Sequence, residues 1–596
     1  MNEYKVDLQD IRFVLKEQAC VNDLFESGPY EDYSWEDVEM VLSGGARIAS
    51  EVIYPLKPIS DSVGAQMKDG KVIMPPEFHA AHHKVAEGGW MGVSLNPELG
   101  GQGFPHVVGA ACADMFIAAC PSYFFLPGLA RGASRLIEAA GTPEQVAKYC
   151  KKMNTGVWGG TMCLTEAQAG SAVGDLTTSG TKVDGQDHYL IKGNKIFISA
   201  GDQDITENII HLVLGRTPGA PRGIKGVSLF IVPKLRDDGT HNDVHINSIE
   251  EKMGLHGSPT CQMSFGDNND CHGWIVGPEG DGIKNMFIMM NEARIAVGLQ
   301  ASSMANWAYQ LALDYAKERI QGSDITAYKD ANAERIAIIE HPDVRRMLLT
   351  MKAYSEGCRS LLYTTASMVD HIHAFDDDPK EQERLRHLVE ILTPICKAYC
   401  SYRGFEAVDL AIMIHGGYGY IREYVVEGIL RDIKIAAIYE GTNGIQALDL
   451  LGRKVGGKGG LMFMTFVQWI NEFVNKNRDN EELGDMIEQL DAAKNTLAAI
   501  TMELGQKGMG GDLYFPILSA SSYLEMFGDV VFARQLLHQA VISHEKLAGA
   551  SDSEKQFYES KIATAKFFVS TQLPRVEALA TTIRSGDRSA LDINFG

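Results

Sequence analysis

The sequence predicts a mainly α protein with a central β-domain: a helical domain, a β-barrel, a helical bundle and an appended C-terminal helical domain. Three observations predict it. Apolar residues recur at helical spacing through the first 160 residues and again after about Gly282, short β-type runs separated by turn residues lie between, and 596 residues exceed what one hydrophobic core serves. The composition, 45% hydrophobic and 22% charged, is that of an ordinary globular chain.

Residues 1–160 form the opening helical domain with an extension. Its clearest helix is PPEFHAAHHKVAEGGW, started by Pro75 and Pro76 and ended by Gly88 and Gly89. The glycines of Pro97–Gly103 have no strand before them and no helix after them at dinucleotide-binding spacing, so they mark turns. Residues 161–281 carry the runs HYLIKGNKIFIS, NIIHLVLGR, GIKGVSLFIVP, CQMSFGD and CHGWIVGP, whose period-2 faces close on one another as a small barrel or sheet. Residues 282–455 return to long helices, with breaks near Gly322–Asn332 and at Asp376–Pro379, enough for a four- or five-helix bundle. The run VGGKGG at Val455–Gly460 reads as a flexible connector, and residues 456–596 as a further helical unit.

Charge and cysteine usage exclude several function classes. A net charge of −22 without a basic run opposes nucleic-acid binding, although local arginines and helix N-termini still suit an anionic cofactor. Ten scattered cysteines form neither a zinc ribbon nor a disulfide framework, which fits a reducing, cytoplasmic location. The N-terminus MNEYKVDLQD lacks the pattern of a secretory signal, and Met115–Ala130, the most apolar span, is interrupted by Pro121, Pro127 and Gly128, as a buried segment with a turn is. His79, His82 and His83 share a helix without a completing carboxylate or cysteine and read as surface residues, so no metal is expected. Met286, Met289 and Met290 read as core filler. MTFVQWINEF, Met464–Phe473, is amphipathic; membrane association is allowed, but packing against its own chain is favoured.

The chemistry concentrates in IMIHGGYGYIREYVVEGILRDIKIAAIYEGTNGIQALDLLGR, Ile412–Arg453. Gly416, Gly417 and Gly419 let backbone approach a planar or phosphorylated ligand, though alone they read as a helix-ending turn. Glu440 stands between Tyr439 and Gly441, before a helix that Thr442 or Asn443 would cap. Held there away from water, its carboxylate would be a stronger base; an isolated glutamate otherwise reads as a solvated loop residue.

This run resembles the C-terminal signature of acyl-CoA dehydrogenases, and MCLTEAQAGS, Met162–Ser171, resembles the family's flavin-contacting segment. The likeness covers about residues 40–455, in the helical, β, helical order read above. The extension, the segment KIFISAG and the appended helices are similar to the long bacterial branch that includes 3-methylmercaptopropionyl-CoA dehydrogenases. The resemblance implies FAD, an acyl-CoA substrate, and α,β-dehydrogenation to a trans-2-enoyl-CoA, with Glu440 as the base and its backbone N–H beside a flavin ribityl hydroxyl on the thioester oxygen. It places Met162, Leu164, Thr165, Ser171, Phe197, Ile198, Ser199, Arg319, Gly416, Gly417 and Thr442 on the cofactor. Ser171, Asn291, Arg294 and Gly441 fall on the substrate side.

Where some relatives carry the base on the helix around Asn291–Arg294, this chain has Ala293, which takes no proton. Phe197 stands where many relatives have Trp, Ala172 where an acid is common, and Met413 and Gly444 where glutamines often stand. By the same resemblance Arg319 meets the flavin pyrophosphate across a subunit interface, a task that a guanidinium suits; by itself it reads as a favourable charge at a helix C-terminus. The resemblance further implies a homodimer that passes electrons to an electron-transferring flavoprotein in fatty acid metabolism. The alternatives are an acyl-CoA oxidase and a non-catalytic acyl-CoA-binding or assembly protein on the same scaffold.

Overall fold

The computed structural model describes every residue except 1–3, 27 and 375–377, so Asp376 and Asp377 of the expected break lie outside the described residues. Two compact units emerge, one formed by 35–293 and the other by 1–34 together with 294–596.

In the first unit the helices Trp35–Ile48, Pro76–Glu87, His106–Ala119, Pro121–Ala140 and Pro143–Asn154 precede an eight-stranded sheet. The strand ladder runs His272–Ile275, Val227–Pro233, Asn208–Arg216, Ser179–Lys182, Tyr189–Ser199, Thr260–Phe265, Val244–Ile249. His272–Ile275 pairs back onto Tyr189–Ser199 and closes the sheet into a barrel. Closure leaves fewer free edges to protect. Trp158–Cys163 lies parallel to Asn208–Arg216 and carries the barrel's contact with the helices. At Gly160 a Cβ would fall 2.9 Å from Ala130 and Ala133, so only glycine lets helix Pro121–Ala140 settle this closely on the strand. The shared core includes Ala133, Leu136, Tyr149, Leu212, Leu229, Met286 and Met289, so these two methionines are core filler as their spacing suggests.

Met115–Ala130 resolves into two helices meeting at extended Cys120, and no helix among the described residues is long and apolar enough to cross a membrane. The histidines of Pro76–Glu87 differ from the surface reading in one respect. His82 is buried and bonded to the Gly156 carbonyl at 2.8 Å, while His79 and His83 face Asp204 and Glu87.

The second unit is helical, with Pro342–Ala374, Pro379–Pro394, Cys400–His415 and Val426–Ile433 followed by Leu461–Asn477, Gly484–Met509, Tyr514–Leu547 and Asp552–Thr571. The break at Gly322–Asn332 holds one arm of a two-stranded hairpin, Ile320–Ser323 with Arg335–Ala337. Val455–Gly460, read as a connector from its glycines, takes the form of a turn. Lys458, at φ 50°, is anchored to Glu383 at 3.1 Å and to His387 at 2.9 Å. The amphipathic helix Leu461–Asn477 turns Phe466, Trp469, Ile470 and Phe473 inward. There Phe466 meets Phe527, their ring centres 4.2 Å apart, and Arg534 lies 4.0 Å over Trp469. Its apolar face is therefore covered by its own chain.

Candidate active site

Glu440 occupies a turn between two short helices, and its backbone is left-handed at φ 55°, followed by Gly441 at φ 82°. A side chain on Gly441 would come within 2.7 Å of the Gln446 amide, which donates to the carbonyls of Glu440 at 3.1 Å and Gly441 at 3.4 Å. Thr442 caps helix Asn443–Asp449, its hydroxyl accepting from the Ile445 N–H at 3.3 Å. The turn is thus fixed from beneath by Gln446 and from its end by Thr442. The Glu440 N–H has no hydrogen-bond partner among the described residues.

The Glu440 side chain is half-buried. Burial raises its carboxyl, against the pull of the Arg294 and Lys397 charges, to about 7. Arg294 is buried and gives one guanidinium nitrogen to Asp449 at 3.1 Å, and Asp449 is also paired with Arg453 at 2.6 Å. Glu292, the other carboxylate near this part of the long helix Gly282–Glu318, has the opposite setting. Although burial opposes it, Arg135 and Arg131, at 3.5 and 3.3 Å, hold its carboxyl below the usual range. Of these two acids, only Glu440 is poised to take a proton near neutral pH.

In the first unit, the segment Met162–Thr165 is tied to strand Tyr189–Ser199, which carries Phe197, Ile198 and Ser199. The Ile196 N–H donates to the Thr165 carbonyl at 2.9 Å, and the fully buried Lys195 ammonium donates to the Leu164 carbonyl at 3.0 Å and to Glu166 at 2.9 Å. Glu166 also accepts from the backbone and hydroxyl groups of Thr177 and Thr178, so its carboxyl lies far below the usual range although burial opposes it. Phe197 sits at a bulge with φ 58° and presents an exposed ring. Ile198 is buried and pairs with Cys261 of the neighbouring strand. Ser171 is exposed on the following loop, and Asn291 is half-buried on the Gly282–Glu318 helix.

Arg319, Gly416 and Gly417 line an open groove of about 690 Å3 in the second unit, with Met413, His415 and Tyr418. A Cβ on either glycine would meet nothing within 4 Å, so bare backbone faces the groove. The exposed Arg319 donates to Gln321 at 2.9 Å and lies 5.8 Å over the Tyr418 ring.

Residue-pattern reading missed Glu166, Lys195, Lys397 and Gln446. Lys195 carries a signal, because it stands at an inward position of a period-2 strand after Tyr189 and Ile191. Lys397 carries another, a lone cation in the apolar run Ile395–Cys400. Gln446 had none.

Comparison with known proteins decides the family. Residues 59–157, 161–268 and 280–455 match the N-terminal, middle and C-terminal domain profiles of acyl-CoA dehydrogenases, and 466–594 match a profile described as acetyl-CoA dehydrogenase C-terminal like. The chain is 36% identical to 3-methylmercaptopropionyl-CoA dehydrogenase of Ruegeria pomeroyi, over 96% of this chain and 97% of that protein. The chain belongs to the acyl-CoA dehydrogenase family. It is likewise 36% identical to a butyryl-CoA dehydrogenase of Syntrophomonas wolfei, over 99% and 98% of the two chains. The fold matches an acyl-CoA dehydrogenase from Bacillus anthracis solved with FAD, at TM-score 0.75, 21% identity, and 95% and 91% coverage. As a member of this family the chain is an oxidoreductase.

Proposed function

We propose that this acyl-CoA dehydrogenase removes an α-proton from an acyl-CoA thioester with Glu440 as a β-hydride leaves, giving a trans-2-enoyl-CoA. The observation that carries the reading is the half-buried Glu440 carboxyl, raised to about 7 and fixed in a left-handed turn whose N–H has no partner among the described residues. That carboxylate takes the proton, and the N–H is offered to the thioester oxygen as negative charge develops there. Gly441 keeps the floor of the turn open, and Arg294, with Asn291 and Ser171, belongs to the substrate side.

The residues fit FAD. Phe197 offers a flat aromatic face beside the fixed backbone of Leu164 and Thr165, with Met162, Ile198 and Ser199 adjoining. Gly416 and Gly417 open bare backbone to the groove where Arg319 provides a phosphate-matching fork, and Thr442 and Ser171 add hydroxyls. FAD, when bound, supplies the acceptor for the hydride. The relatives named for 3-methylmercaptopropionyl-CoA and butyryl-CoA favour a short acyl group, of fatty or sulfur-containing type. Electron-transferring flavoprotein as acceptor, a homodimer whose partner completes the Arg319 groove, a cytoplasmic location and a role in fatty acid β-oxidation belong to the same reading.

An anaerobic screen of acyl-CoAs of graded length, with 3-methylmercaptopropionyl-CoA among them, tests it by flavin bleaching. Bleaching by short acyl-CoAs in wild type and a loss of about 10²–10⁴-fold in rate in Glu440→Gln, with flavin retained, are expected. Wild-type turnover in that variant refutes the role of Glu440. Rapid peroxide formation without an electron-transferring flavoprotein would indicate an oxidase instead.

A further inference from the structure

We propose that Lys397 is a positioning residue for proton removal: its buried ammonium, held by Asn443 beneath the Glu440 turn, is the charge that keeps Glu440 an anion where little water remains. The inference rests on the reading of Glu440 as the base and adds a residue to that site.

Lys397 is fully buried on Ile395–Tyr399, a π-helical turn that begins after Pro394 inside an otherwise continuous helix. An inserted residue of this kind rotates the following side chains relative to the regular helix. The widened backbone presses on the neighbouring helix at Gly298, where a Cβ would lie 2.2 Å from the Cys396 carbonyl oxygen. The ammonium donates to Asn443 Oδ1 at 2.9 Å. Asn443 is in turn fixed by Ser401 at 2.9 Å and by the Ala398 carbonyl at 3.3 Å. Asn443 opens the helix that Thr442 caps, so the cation is tied to the segment that carries Glu440.

A buried ammonium whose only described hydrogen bond goes to a neutral amide requires an anion nearby. Two acids, Asp449 and Glu440, act on the neighbouring Arg294. Asp449 is already committed to Arg294 and Arg453, which leaves Glu440. The neighbouring titratable groups are directed elsewhere. Tyr399 donates to Asp529 on the Tyr514–Leu547 helix, Asp529 also faces Arg403 and Arg575, and Cys396 faces Thr365 of the Pro342–Ala374 helix. From the Gly282–Glu318 helix only Arg294 acts on Lys397, and from the Glu440 turn only Glu440. Burial and Arg294 lower the Lys397 ammonium to about 7 against the pull of Glu440, so the two groups titrate in the same range. Removing the lysine charge destabilises the carboxylate, and the base then ionises only at higher pH. During proton transfer the substrate C–H bond breaks and the proton moves to the Glu440 carboxylate, while Lys397 forms no bond to substrate.

The test is the pH dependence of anaerobic flavin bleaching by butyryl-CoA in the FAD-loaded protein, for wild type, Lys397→Met, Lys397→Arg, Asn443→Ala and Glu440→Gln. In Lys397→Met the base limb is expected to move up by about one pH unit, with a roughly tenfold slower reaction below the limb and recovery toward the wild-type rate at high pH. Lys397→Arg should restore the limb. An unmoved limb, or an equal loss at every pH, overturns the proposal. Should Lys397→Met not hold flavin, Asn443→Ala decides: with its anchor removed the ammonium is less stable, and the limb again moves up or the proposal falls. Wild-type bleaching in Glu440→Gln would instead overturn the assignment of the base, whatever Lys397 does.

Discussion

At the scale of single residues, the protein separates two glutamates by environment alone. Glu292, flanked by two arginines, stays an anion, whereas Glu440 is lifted by burial to about 7. Proton removal requires the Glu440 anion, so the bleaching rate at saturating acyl-CoA should rise with pH through about 7 and then level off. A rate that falls over that interval would contradict the assignment. Gly441→Ala must place a Cβ at φ 82° and 2.7 Å from the Gln446 amide; we expect bleaching to slow at least about tenfold with flavin content unchanged. Glu440 was legible because its sequence neighbours are distinctive. Its conformation was not, since nothing local announces that a glutamate will adopt positive φ, or that Gln446, six residues on, will hold its carbonyl.

At the scale of elements, the Lys195–Glu166 pair joins the strand bearing Phe197 to the loop bearing Thr165. Both side chains are buried, so Lys195→Met leaves a carboxylate without its counter-ion and should cost about 3–5 kcal/mol, read as a lowered Tm together with weaker flavin retention. The Glu166 carboxyl titrates below its usual range when folded. Its contribution to stability is therefore complete above the unfolded value of about 4.3 and is lost as pH falls below it. Glu166→Gln should accordingly flatten the acid limb of the stability curve there, as thermal unfolding at graded pH would reveal. The barrel runs from Tyr189, Asn208 and Val227 were readable from β-branched alternation. Ser179–Lys182 and Val244–Ile249 were not, because SGTK and VHINSI are short and polar, and pairing with longer neighbours makes them strands. The bulge at Phe197 escaped for a related reason: register is set by the partner strand Thr260–Phe265, which lies more than sixty residues away.

At the scale of the whole molecule, the order helical, β, helical, helical was visible in periodicity, but the sharing of cores was not. Tyr399 of the bundle packs edge-on to Phe532, ring centres 4.6 Å apart, and Gly357 leaves room where a Cβ would meet that phenylalanine at 2.5 Å. A chain ending at Gly457 would uncover this surface, and we expect it to yield no soluble flavoprotein on expression; a folded, flavin-loaded product would show that the bundle stands alone. The opening segment is built into the same unit. Asp10 is paired with Arg359 and Lys561, and Gln18 is bonded to Ser360, Gln535 and Gln539. During synthesis, then, the segment around Asp10 finds its place late, for one of the two cations that hold it emerges 551 residues later. Residues 35–293 form a compact unit that is complete in sequence long before Lys561 is made, while the segment around Asp10 still lacks a partner. A product cut short before Lys561 leaves Asp10 with only one of its two cations, Arg359, and such chains should be the ones that chaperones retain and proteases remove.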